Sequence, residues 1–149
     1  MATTVAKTKF TSKIVETLTL KSQPQQVITT LEINDVTDYS HRIMSVATGT
    51  STIMNLGVSD AAGRIEAARF KYMRITNLDD TNNVRLTFQL TSNTDTYEVV
   101  IGPKTSHILT SKSVYITTGG ADASLEDITV IKGTAVTADC DVEVFTVST

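Results

Sequence analysis

The chain lacks tryptophan and has one cysteine, two prolines, four phenylalanines and four tyrosines in 149 residues. A single thiol, Cys140, forms no internal disulfide, so stability has to come from packing and not from covalent staples. Asp139 and Asp141 flank that thiol. Neighbouring carboxylates raise a thiol pKa, which argues for a small residue at a strand start and against a reactive nucleophile. So few aromatic rings make a poor stacking platform for sugars or bases. The two histidines, His41 and His107, lie far apart in alternating runs. A zinc site needs three or four converging ligands, which one cysteine and two distant histidines do not supply.

Other absences narrow the function further. Net charge is −3, with no basic excess of the kind that displaces counterions from nucleic acid. No apolar run approaches the roughly 20 residues that cross a bilayer as a helix. The opening MATTVAKTKF lacks the apolar core of a secretory signal. The expectation is a soluble protein made in the cytoplasm, binding neither membrane nor nucleic acid. There is no Gly-x-Ser-x-Gly elbow, no phosphate-binding Gly-x-x-x-x-Gly-Lys loop and no Gly-x-Gly-x-x-Gly turn. Neither a cofactor nor an enzymatic activity is expected.

Threonine, roughly one residue in five or six, is abundant, and valine and isoleucine are plentiful. These β-branched residues fit a pleated, half-buried surface better than a helix. Period-two alternation recurs almost throughout. KIVETLTLKS sets Ile14, Leu18 and Leu20 on one face and Val15, Thr17 and Thr19 on the other. QVITTLEINDV sets Val27, Leu31 and Ile33 against Ile28, Thr30 and Glu32. Met73 and Ile75 share a face, as do Val84, Leu86, Phe88 and Leu90, and Tyr97, Val99 and Ile101. Near the end, Val142 and Val144 oppose Glu143, Phe145 and Val147. Between residues 59 and 70 the pattern fades; a loop with one helical turn capped by Ser59 is expected there. The result is an all-β chain: a single antiparallel β-sandwich of about nine or ten short strands, jelly-roll-like, spanning residues 1–149 as one domain.

Two polar clusters allow more than one reading. Asp79-Asp80-Thr81-Asn82-Asn83 joins two alternating runs and reads first as hairpin-turn chemistry, with an oxygen-rich calcium loop as the rival. Lys7, Lys9 and Lys13 precede the first acid, Glu16. They belong either to a solvated N-terminal segment or to an arm over residues 1–13 that docks on an acidic partner.

The segments FKYMRITNLDDTNNVRLTFQL, TYEVVIGPKTSHIL and SLEDITVIKGTAVTADCDVEVFTVST together resemble small virion structural proteins of tailed phages, notably marine and cyanobacterial ones. The resemblance rests on Ile75, Asn77, Leu78 and Asp79, on Gly102-Pro103, and on Asp141 through Phe145, and it covers the C-terminal half. It implies a structural role in the particle. The favoured form is a capsid decoration or cement protein that is made in the host cytoplasm and held on the outer head surface by the major capsid protein or other virion proteins. A homo-oligomer is implied, with threefold assembly favoured, and Lys7, Lys9 and Lys13 are the candidate contacts. The alternatives are a tail, neck or fibre component, or a β-sandwich that binds a carbohydrate or host receptor. That last reading needs exposed aromatics, which Tyr39, Tyr72, Tyr97 and Tyr115 have to provide.

Overall fold

Strands form nearly everywhere that side chains alternate. The computed structural model describes residues 6–57, 64–90, 96–110, 113–116, 121–124 and 127–149. Within them lie thirteen strands, more than the sequence suggested, because several are only three or four residues long. They are β1 (Thr8–Leu20), β2 (Gln23–Val36), β3 (Asp38–Val46), β4 (Ser51–Gly57), β5 (Arg64–Glu66), β6 (Phe70–Asn77), β7 (Val84–Leu90), β8 (Thr96–Ile101), β9 (Ser106–Leu109), β10 (Ser113–Ile116), β11 (Ala121–Ser124), β12 (Ile128–Ala135) and β13 (Cys140–Ser148). One 3-10 turn, Ala67–Arg69, interrupts them. It lies inside the stretch expected to hold a helical turn; Ser59, the expected cap, falls outside the described residues.

The chain, read from its sequence as one domain, divides into two compact units: residues up to Thr37 together with Thr149, and Asp38–Ser148. The first is dominated by β1 paired antiparallel to β2. The boundary drawn at residue 13 falls inside β1.

The second unit is a β-sandwich. One sheet has the order β5-β4-β12-β7-β8 and the other β3-β13-β6-β9, while β10 and β11 pair as a separate ribbon. All pairings are antiparallel except β4 with β5, so the first sheet is mixed. The inward positions are those the alternation marked. Leu86 and Phe88 of β7, Met73 and Ile75 of β6, and Val142 and Val144 of β13 are all buried in one continuous apolar core. Burying each such side chain contributes roughly 1.5–3 kcal/mol.

One position shows how tight that core is. A Cβ at Gly133 in β12 would lie 2.9 Å from Ile53 Cδ1 and 3.1 Å from Val46 Cγ1. Close approach favours glycine there, since a larger residue would make side chains of β3 and β4 give way.

Candidate interaction surfaces

The β1–β2 hairpin turns through Lys21 and Ser22, whose φ values are 48° and 66°. Positive φ at both central residues is the mark of the tightest hairpin turn, whose twist matches the flanking strands. From Leu20↔Gln23 to Phe10↔Ile33 the two strands stay in register. At the base an irregularity sets Thr8 opposite Val36, and Asp35 takes a φ of 60°. Directly opposed residues share a face. Ile14, Glu16, Leu18 and Leu20 therefore lie beside Thr29, Val27, Gln25 and Gln23, and Lys13, Val15 and Thr17 lie beside Thr30, Ile28 and Gln26.

The first of those faces is the more apolar and its distal half is bare, though the second also exposes Val15 and Ile28. Ile14 is 44 %, Leu18 58 %, Leu20 56 % and Val27 59 % exposed. Nearer the base Phe10, Leu31 and Ile33, on the same face, are half-buried. The alternation that signalled an ordinary half-buried strand is thus real, yet the described chain does not cover it.

The three candidate lysines all belong to this hairpin. Lys9 Nζ lies 2.7 Å from Glu32 and Lys7 Nζ 3.7 Å from Asp35. Both pairs are exposed, and such pairs contribute little and exchange readily. Lys13 forms no ion pair among the described residues and projects from the face opposite Leu18. With four lysines against three acids the first 37 residues carry +1; the whole chain carries −3, so the remainder carries −4.

A second surface is the outward face of the β3-β13-β6-β9 sheet. Phe145 on β13 lies 6.4 Å from the ring of Tyr39, 6.1 Å from that of His41 and 6.1 Å from that of Tyr72, centre to centre. Beside this cluster Glu143 lies 2.9 Å from His41 Nε2 and accepts a hydrogen bond from Arg74 at 2.8 Å. Tyr39 is 69 % and Ile43 62 % exposed. Of the tyrosines proposed for stacking whose side chains are described, Tyr39 alone stands clear: Tyr72 is buried, and Tyr97 lies flat on Phe88 with ring centres 4.4 Å apart. The side chain of Tyr115 lies outside the described residues.

The third surface is the loop end of the sandwich. Leu78, Asp79, Asp80, Asp139 and Asp141 line a cleft of about 290 Å³. The turn after β6 is tied inward by Asn77, which is fully buried. Its Nδ2 donates to the carbonyls of Asn82 at 2.7 Å and Gly102 at 3.1 Å, and its Oδ1 accepts from the Asp79 amide at 3.0 Å. Asp79 Oδ1 accepts the amides of Asn82 at 2.6 Å and Thr81 at 2.7 Å. Those amide bonds, Asn82 first, hold its carboxyl below the ordinary aspartate value. Lys104 Nζ sits 2.7 Å from Asp80 and also donates to the Leu78 carbonyl. The expected hairpin is not formed, because β6 pairs with β13 and β9 while β7 pairs with β12 and β8 in the other sheet. The cluster is a loop that crosses between the two sheets, its Asp79 carboxylate engaged by the loop's own amides. None of the five loop residues takes a positive φ; side chains bonding to amides make the turn. Cys140 begins β13 beside this cleft and is buried. Burial chiefly, and then Asp79, Asp139 and Asp141, push its thiol pKa up.

His107 is the other histidine. It pairs with Ile75 across β9–β6 and meets Phe88 edge-on at 5.7 Å. Desolvation lowers its pKa, and its Nε2 has no hydrogen-bond partner among the described residues. His41 and His107 thus occupy different sites, one on the outward face and one against the core.

No family model, no curated protein and no solved structure matches the chain.

Proposed function

We propose that this chain is a structural component of a tailed-phage particle, of the capsid-decoration type, bound to the outer surface of the head through the major capsid protein. The observation that carries this reading is the exposed hairpin of β1 (Thr8–Leu20) and β2 (Gln23–Val36) on a chain whose other unit is a closely packed sandwich. A two-stranded ribbon is marginal in water by itself, and a partner supplies the missing surface. A closely packed sandwich joined to a two-stranded hairpin suits a protein that serves by being built into something. The face bearing Lys9 and Lys13 is offered to an acidic patch on the shell, with Lys7 beside it. Lys9 and Lys7 leave weak intramolecular pairs to make that contact. Repetition around a homo-oligomer, with threefold assembly favoured at capsomer junctions, turns modest contacts into firm attachment. The role is architectural, not catalytic.

Purified particles probed for this chain provide the test. Many copies on the head surface are expected; a few copies per particle would move the assignment to neck, tail or fibre. Absence from particles, with the chain left in the infected-cell lysate, would overturn the reading.

One observation favours a second reading. The Tyr39, His41 and Phe145 cluster is an outward aromatic patch with polar groups beside it, a combination that recognises sugars. A glycan array with binding that Tyr39→Ala abolishes would establish a receptor-binding module instead.

A further inference from the structure

The two exposed apolar surfaces belong to different units of the chain and have the properties of mates. We infer that the apolar face of the distal hairpin, formed by Ile14, Leu18, Leu20 and Val27, packs on the Tyr39 and Ile43 face of a second copy of this chain, each copy giving one arm and receiving one.

Three observations lead to a second copy. The first is the pattern itself. One face of the hairpin carries Ile14, Leu18, Leu20 and Val27, and the other carries Val15 and Ile28 among Lys13, Thr17 and Gln26, so the first is the more apolar and the better suited to be covered. That first side is half-buried at the base and open at the tip. The second is charge. The first 37 residues carry +1 and the remainder −4. Hairpin against hairpin sets two segments of net charge +1 together, whereas hairpin against the acidic unit of a neighbour is attractive at long range. On the contact face itself the one charged side chain from Ile14 to Thr29 is Glu16. The receiving face is near-neutral locally, because Glu143 is held by Arg74 and His41.

The third is area. From Lys13 to Leu20 the arm is about 25 Å long at roughly 3.3 Å per residue, and two strands are about 10 Å wide, so one face covers about 250 Å². Specific interfaces start near 600 Å² on each partner. One arm laid on an unrelated protein falls well short of that. An arm given and an arm received bring each chain to about 500 Å² of flat footprint, close to the threshold. A reciprocal pair satisfies this count, and so does a ring in which each chain passes its arm to the next.

The inference stands apart from the virion reading: particle counts test that one, and the purified chain alone tests this one. Sedimentation equilibrium of the full chain over a concentration series is the experiment. Wild type is expected to self-associate. Leu18→Asp on the arm and Ile43→Asp on the receiving sheet should each raise the dissociation constant at least about tenfold. Thr17→Asp, on the opposite face of the same strand, should leave it unchanged. All three positions are at strand surfaces, and unchanged thermal melts at monomeric concentration separate lost association from lost folding. A wild-type chain that stays monomeric at its highest soluble concentration overturns the inference and assigns the arm to a different protein. Association untouched by Leu18→Asp also overturns it. Association untouched by Ile43→Asp removes the Tyr39 and Ile43 face as the seat of the arm and overturns the inference with it.

Discussion

The hairpin and the sandwich are written in the same code and reach opposite ends. Both alternate apolar and polar residues with period two, and both are rich in threonine and β-branched side chains. In the sandwich Leu86 and Phe88 are fully buried; in the hairpin Leu18 and Val27 are 58 % and 59 % exposed. Alternation therefore specifies that a face is to be covered, not by what. The covering is a property of topology. The sandwich unit has two sheets to set face to face, and the hairpin unit has one ribbon.

The contrast breaks or sharpens under substitution. The largest effect is expected from matched truncations. Phe88→Ala should cost about 3–5 kcal/mol in denaturant unfolding, through lost transfer energy and a cavity. Leu18→Ala, measured in dilute monomer, should stay within about 0.5 kcal/mol. Equal costs would mean that the hairpin tip is already packed and would erase the distinction. Next is Asn77→Ala, which leaves the Asn82 and Gly102 carbonyls without their donor. A loss of about 3 kcal/mol is expected in the sandwich transition. Gly133→Ala should cost about 2 kcal/mol by overpacking against Ile53 and Val46. Paired calorimetry of this variant should show the penalty in the main melt and not in association.

The smallest effect is a pH dependence. His107 has its pKa lowered by desolvation, so the unfolded chain binds the proton more tightly than the folded one. Stability at His107 is full above the ordinary imidazole value and is lost as pH falls below about 6.5. His107→Phe should flatten that part of the stability–pH curve. A curve unchanged by His107→Phe would show that the imidazole keeps its ordinary affinity for protons.

Much of the sandwich was legible in the sequence because burial and alternation coincide there. Met73 with Ile75, Val84 through Leu90, and Val142 with Val144 were assigned to common faces and are inward together. The short strands were harder to see. Three residues at Arg64–Glu66 carry no period, and their parallel pairing with β4 is a fact of tertiary arrangement. Lys7, Lys9 and Lys13 were visible as a local charge bias, but cross-strand partners at Glu32 and Asp35 depend on register, which spacing alone does not give. The exposed tip was legible as a pattern and illegible as a surface. Ile14, Leu18 and Leu20 read the same whether a second sheet or a second molecule lies above them. The turn at Lys21 and Ser22 hid for a related reason, since neither residue is a usual choice for positive φ.

Cys140 has a practical consequence for anyone who wants to watch this molecule work. The chain's lone sulfhydryl is enclosed, and its reluctance to ionise keeps it slow toward alkylating dyes. A cysteine placed at the ribbon tip becomes the single fast-reacting handle in the native fold. One fluorophore or spin label can then report on that tip with the natural sequence left intact everywhere else.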